Sequence, residues 1–349
     1  MKTPKISVVI PVYNGEKHLA PTLDSLRRQS FKDFEVLCIN DCSTDNSESI
    51  LKQYTQIDSR ILVLATDTNQ GIVSKVLKNY ALPNLKGEYY VYSSQDDRFS
   101  EDWLEKMWLK ADETNADAVL PDLVFFHEND RSKDRALIGV RGDRNVVLSN
   151  RDAVILSLDW KIPGNALWKA SLVKSVGYAD FGMFACEYSH RVFFFHCNKV
   201  VFSGGIFYYS QDNPDAITRK PSYKQFDRPY THFKLFEFLI DNHFDSEVYT
   251  KELMKAFLSL VQHKQELIAN MANFSTAHQR EAEKRIAYCY EAITRCQLAV
   301  EIIKQQSGLK NRFKSFSTFH GYPFFNASNK LIVYLRWLRR LAVGSHFIQ

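Results

Sequence analysis

Two periods alternate along the first hundred residues. Ile6–Ile10 (ISVVI), Phe34–Ile39 (FEVLCI), Ile61–Ala65 and Glu88–Tyr92 are short apolar, largely β-branched or aromatic runs of buried-strand type. Between them, apolar residues recur at helical spacing: Leu19, Leu23 and Leu26, then Ile50, Leu51 and Tyr54, then Ile72, Val76 and Leu77. Asn14-Gly15 breaks the first strand, and Ser43-Thr44-Asp45 precedes the second helix. Strand and helix in this rhythm predict βαβ units and a doubly wound, mainly parallel α/β sheet. The pattern continues with a helix over 101–114, a strand over 118–126 and a charge-dense loop or hairpin over 128–145. From Tyr223 the character changes to long helical patterns, Lys251–Met271 and Ala277–Lys304, so a domain boundary is expected near Lys220.

Composition adds two points. With 349 residues, 45% of them hydrophobic, the chain has material for a sizeable core and exceeds one average domain. Its net charge of +5 is concentrated at one end. No acid follows Gln305, whereas Lys304, Lys310, Arg312, Lys314, Lys330, Arg336, Arg339 and Arg340 are all basic, so the preceding chain is net negative. Ser328–Val343 places Leu331, Tyr334, Leu335, Leu338 and Leu341 on one helical face. That pattern suits either an anionic membrane surface or docking on the protein itself. No nucleic-acid module accompanies the Lys310–Lys314 cluster, and no nucleic-acid partner is expected. The six cysteines lack zinc-ligand spacing, no run is long enough for a membrane-spanning helix, and a cytoplasmic location, with peripheral attachment to the membrane's inner face, is expected.

In an open α/β sheet, ligands lie beyond the carboxyl ends of the strands. Pro11-Val12-Tyr13-Asn14 follows the first strand, Asn40-Asp41-Cys42-Ser43-Thr44-Asp45 the second, and Ser94-Gln95-Asp96-Asp97 the fourth. Carboxylates gathered on one rim would repel a bare diphosphate. They make chemical sense with a divalent cation, Mn2+ or Mg2+, bound by one or two carboxylates and by phosphate oxygens. Asp41 and Asp45 also read as turn and cap residues, and the absence of GxGxxG argues against a dinucleotide enzyme.

SVVIPVYNGE (Ser7–Glu16), INDCSTDNS (Ile39–Ser47), NQG (Asn69–Gly71) and GEYYVYSSQDD (Gly87–Asp97) together resemble the catalytic domain of glycosyltransferase family 2, of the GT-A fold. The resemblance implies a nucleotide-sugar-binding catalytic domain over 1–220 and an α-helical region over 221–349. It implies a UDP-sugar donor bound by Pro11, Val12, Tyr13, Glu16, Asp41 and Asp96, and a metal on Asp97. It also implies inverting transfer to a glycan or lipid-linked acceptor in surface polysaccharide assembly. The family's DDGS stands here as Asn40-Asp41-Cys42-Ser43, and Ser94 replaces an acid. For the phosphate-facing cation after NQG, Lys75 and Lys78 are both candidates. Glu187 matches the general-base motif, with Cys186 the alternative occupant and an ion pair to Arg191 the structural alternative. Asn165 and Trp168 fall in the acceptor segment, and Arg219 and Lys220 in the loop that closes on the diphosphate. A catalytically silent nucleotide-sugar-binding subunit is the second reading.

Overall fold

The computed structural model describes residues 3–214, 216, 222–306 and 309–344. The chain forms two compact units: Met1–Phe181 with Ala185–Pro214, and Gly182–Phe184 with Asp215–Gln349.

The first unit contains β1 (Ile6–Val12), α1 (Leu19–Arg27), β2 (Phe34–Asn40), α2 (Ser47–Ile57), β3 (Ile61–Ala65) and α3 (Val73–Val76), with β4 (Tyr89–Tyr92) and β5 (Arg98–Phe99) after them. It continues through α4 (Trp103–Thr114), β6 (Ala118–Phe126), β7 (Arg135–Leu137), α5 (Asn150–Leu158), β8 (Leu167–Lys169), α6 (Ala170–Val176), α7 (Ala185–His196) and β9 (Val200–Ser210). The sheet order is β3-β2-β1-β4-β8-β6-β9-β5, with β7 paired on β6. β1 runs parallel to β2 and β4, and β2 to β3, as the βαβ pattern predicts. β1 and β2 are almost wholly buried, which is why they read as continuous apolar runs rather than alternating ones.

Beyond β4 the sheet departs from the expected parallel order. β8 lies antiparallel between β4 and β6, and β5 antiparallel on β9. The charge-dense 128–145 segment is partly a hairpin, with β7 on β6 through Leu123 opposite Leu137. The register between β6 and β9 breaks at Pro121, which has no amide hydrogen to give a ladder. A π-helical turn over Leu77–Ala81 extends α3, taking up extra length in the segment after NQG.

The second unit consists of α8 (Arg228–Asp241), α9 (Ser246–Ala269), α10 (Thr276–Arg295), α11 (Gln297–Gln306), α12 (Leu309–Phe319) and α13 (Tyr322–Gly344). The helical pattern expected over 277–304 is two helices, divided where Cys296 adopts an extended backbone. Phe236, Leu253, Phe257, Leu260, Ile286, Ile293 and Phe325 make its core. α13 docks partly through polar side chains: Ser328 and Asn329 are buried beside Phe325, and Asn329 accepts from Gln265 at 2.8 Å. Phe324, Leu331, Tyr334 and Leu335 remain exposed, and Phe316 of α12 lies against Phe324 at 5.8 Å between ring centres. No helix among the described residues is long and apolar enough to cross a membrane.

Candidate active site

The turns after β1 and β2 hold each other. Asn14 adopts φ +49°, its amide donates to Ser43 Oγ (3.1 Å), and its Oδ1 accepts from the Thr44 amide (2.8 Å). The Gly15 amide reaches Ser47 Oγ at 2.8 Å and the Glu16 amide reaches Asp45 Oδ2 at 3.0 Å. Glu16 returns the bond, its Oε2 accepting from the Asn46 amide at 3.0 Å. Glu16, expected at the nucleotide, and Asp45 therefore both lace turns together. Gln95 ties the end of β4 to the end of β1, accepting from the Tyr13 amide (2.9 Å) and donating to its carbonyl (3.0 Å). A Cβ at position 15 would lie 2.4 Å from Gln95 Oε1, so a side chain there would have to push Gln95 off its bonds to Tyr13. Val12 is buried, Pro11 half-buried, and the Tyr13 ring is 46% exposed at this rim.

Asp41 ends β2 almost buried. Its Oδ1 accepts from Thr66 Oγ1 (2.9 Å) and from the Gln70 amide of the NQG segment (2.8 Å), while Asn69 Nδ2 donates to its carbonyl (3.0 Å). Oδ2 has no hydrogen-bond partner among the described residues. A carboxylate fixed by one oxygen and open at the other is arranged to accept one more N–H. Cys42, at φ +59°, occupies the position where the family pattern has glycine. For a non-glycine residue the left-handed backbone costs about 1 kcal/mol.

The neighbouring aspartates differ. Asp97 is 1% exposed and accepts from the amides of Ser210 (3.2 Å) and Ser94 (3.1 Å) and from Ser93 Oγ (3.3 Å). Burial, reinforced by the charge of Asp96, pushes its carboxyl well above the usual range. Asp96 is half-buried: Asn213 Nδ2 donates to its Oδ2 at 2.6 Å, and Oδ1 has no hydrogen-bond partner among the described residues. No group of three His, Cys, Asp or Glu side chains among the described residues forms a protein-only metal cage. The donor set present instead fits a cation held by a carboxylate pair and completed by ligand oxygens. Asp96 offers the open oxygen, and Asp97, the expected metal residue, has both of its oxygens engaged.

The two candidate lysines separate cleanly. Lys78 pairs with Asp180 at 3.1 Å, whereas Lys75 makes no hydrogen bond or ion pair among the described residues. Beside Lys75, Ser74 is buried with its hydroxyl unpartnered among the described residues, and Cys186 is the second residue of α7. Burial, with the Glu187 charge next to it, pushes the Cys186 thiol up to about 12, so it remains protonated at neutral pH and is no base.

Glu187 lies in the first turn of α7 with its side chain 31% exposed and its Oε2 3.9 Å from Arg191. Arg191 is buried; Nη1 donates to the Glu187 carbonyl (2.7 Å) and Nη2 to the Ser157 carbonyl (2.8 Å). The ion pair is thus present but long, and the arginine's short bonds go to main-chain oxygens. Trp168, expected to face the acceptor, is corrected here. It is 1% exposed, its ring enclosed by His190, Phe193 and Phe194, leaving no face for a sugar. His190 packs so closely that a Cβ on Gly164 would lie 2.4 Å from its Nδ1, and burial beside Arg191 lowers the imidazole from 6.5 to about 3. Asn165 is half-exposed with no hydrogen-bond partner among the described residues. Arg219 and Lys220 lie outside the described residues. The sequence reading missed Thr66 and gave no role to Gln70 or Asn213, whose carboxylate partners are remote in the chain; it named Arg191 only as an ion-pair partner of Glu187 and not for its bond to the Ser157 carbonyl.

Residues 7–173 match the family model described as glycosyl transferase family 2. The chain is 35% identical to glycosyltransferase GlyA of Streptococcus pneumoniae over 126 residues, which are 36% of this chain and 18% of GlyA. It therefore spans less than a fifth of that relative's length. It is 27% identical to glycosyltransferase GlyG of the same organism over 228 residues, 61% of this chain and 73% of GlyG. The crystal structure of S. aureus TarS 1–349 in complex with UDP-GlcNAc superimposes with a TM-score of 0.65 at 16% identity, covering 96% of this chain and 92% of that one. Residues 7–173, just under half of the chain, are thus similar to glycosyltransferase family 2, and the fold is of the GT-A type.

Proposed function

We propose that the chain is an inverting, metal-dependent glycosyltransferase that moves a sugar from a UDP-sugar to a glycan or lipid-linked acceptor in surface polysaccharide assembly. The observation that carries the reading is Asp41: nearly buried, fixed through Oδ1 by Thr66 and Gln70, and open at Oδ2. A uracil ring N–H supplies the missing donor, and the TarS structure that shares the fold is a UDP-GlcNAc complex. Pro11 and Val12 shape the pocket floor beside the Tyr13 ring. Lys75, whose side chain makes no hydrogen bond or ion pair among the described residues, meets the diphosphate, and Arg219 and Lys220 are assigned to the same group from the family resemblance. Asp96, through its open Oδ1, and Asp97 beneath it would hold Mn2+ or Mg2+; when bound, the ion neutralises charge on the departing diphosphate. Glu187 takes the proton of an acceptor hydroxyl as that oxygen bonds to the anomeric carbon. The bond from that carbon to the diphosphate breaks on the opposite face, which inverts the configuration. Asn165 hydrogen-bonds the acceptor.

The silent-subunit reading draws on the thiol at position 186 and on the acids replaced by Asn40 and Ser94. A thermal-shift screen separates the readings when paired with product detection. UDP-GlcNAc should raise Tm more with manganese than with chelator, and Asp96→Asn should remove the manganese increment. Binding without any transferred sugar would favour the silent subunit; no shift with any UDP-sugar would end both.

The chain's expected place is the inner face of the cytoplasmic membrane. The exposed strip of Phe316, Phe324, Leu331 and Leu335, set in an acid-free basic tail, supports contact with anionic lipid. Sedimentation with phosphatidylglycerol vesicles, and none with phosphatidylcholine vesicles, is the expected result; equal sedimentation with both would remove the electrostatic part.

A further inference from the structure

The turn that follows α5 contains the most unusual aromatic residue of the first unit. Trp160 holds φ +54°, a left-handed backbone costly for a bulky residue, and keeps its ring 40% exposed. The turn is well made: the Trp160 amide donates to the Ser157 carbonyl (3.2 Å) and the Lys161 amide to the Leu156 carbonyl (3.0 Å). The Ser157 carbonyl also accepts from Arg191 Nη2, and the Arg191 guanidinium backs the indole at 5.7 Å from the ring centroid. Arg191 Nη1 bonds the Glu187 carbonyl. A single buried cation thus supports both the back of an exposed indole and the first turn of α7, where Glu187 sits.

We propose that Trp160 is the platform on which a pyranose ring of the acceptor stacks, beside Glu187. The inference rests on the glycosyltransferase reading and names a residue for its acceptor side. A pyranose presents an apolar face of C–H groups and a rim of hydroxyls. Recognising it takes a flat apolar surface, a neutral hydrogen-bonding group at the edge and, for reaction, a base. Trp160 supplies the surface, backed by a cation that fixes its tilt. Asn165, five residues on, supplies an amide with no hydrogen-bond partner among the described residues. Gly164 pressed on His190 anchors the intervening loop against α7. The enclosed Trp168 cannot take this part.

The test titrates methyl N-acetyl-β-D-glucosaminide and methyl β-D-glucopyranoside into the full chain without donor, followed by ligand-observed NMR. Glycine tolerates the left-handed backbone, so Trp160→Gly should fold with an unchanged Tm and bind the glycoside about ten-fold more weakly, while Trp160→Phe retains binding. Trp160→Gly should leave the UDP-GlcNAc thermal shift as it is. Equal titrations in the native chain and Trp160→Gly, or no saturable binding of either glycoside by the native chain, would overturn the proposal. Loss of the UDP-GlcNAc shift in the native chain would instead remove the donor reading, since the glycoside titration needs no donor.

Discussion

The rim proposed for the donor and the region proposed for the acceptor, both in the first unit, are built on different principles. Around Asp41 and Asp96, polar atoms are placed by main-chain amides and short side chains on turns that lock together, and the open valences face away from the protein. Around Glu187, placement comes from packed rings and one buried arginine, and the polar groups are few. Hydrogen bonds between turns fix atoms pair by pair, across separations of 29 to 117 positions of chain. Packed aromatics fix them only once the whole neighbourhood has assembled.

The sharpest way to break that contrast is at Glu187. Glu187→Gln should lower the transfer rate by about 10²–10⁴-fold and leave the UDP-GlcNAc thermal shift intact; a rate within a few-fold of the native chain would show that the base lies elsewhere. Next comes Asp41→Asn, which replaces an acceptor oxygen and is expected to cost donor affinity about 100-fold, read as loss of the thermal shift. A smaller separation is expected at the lysines. Lys75→Ala should raise the donor KM by about ten-fold, whereas Lys78→Ala, which only unpairs Asp180 at the surface, should change it little. Equal effects would mean that the pairing seen at Lys78 does not govern its role. The smallest effect is at Cys42, where Cys42→Gly relieves the left-handed backbone and should raise stability by about 0.5 kcal/mol in a denaturant titration; a loss would show that the thiol's contact with the Thr66 carbonyl outweighs the strain.

The same contrast explains what could be read from the chain. β3 and β6 have the bounds that their apolar runs predict, and the parallel order of β1, β2 and β4 follows from helices between strands. That order alone puts Asp41 and the Asp96-Asp97 pair on one rim. β8 and β5, with three and two residues, are too short to carry a period, so the antiparallel insertion between β4 and β6 was not legible. Trp160 and Trp168 are the same residue type eight positions apart; only the packing of α7 decides which ring is enclosed. Which of two adjacent aspartates turns inward is likewise set by Ser210, more than a hundred residues away.

The interlocked turns after β1 and β2 also constrain how this rim can change over generations. The side chains of Asn14, Glu16, Asp45 and Ser47 each accept from a main-chain amide of the opposite turn, some thirty positions away, so an exchange at any of them strands an amide on the other turn. A main-chain amide cannot be exchanged in its turn, so drift there is confined to side chains that still present an acceptor oxygen at the same place.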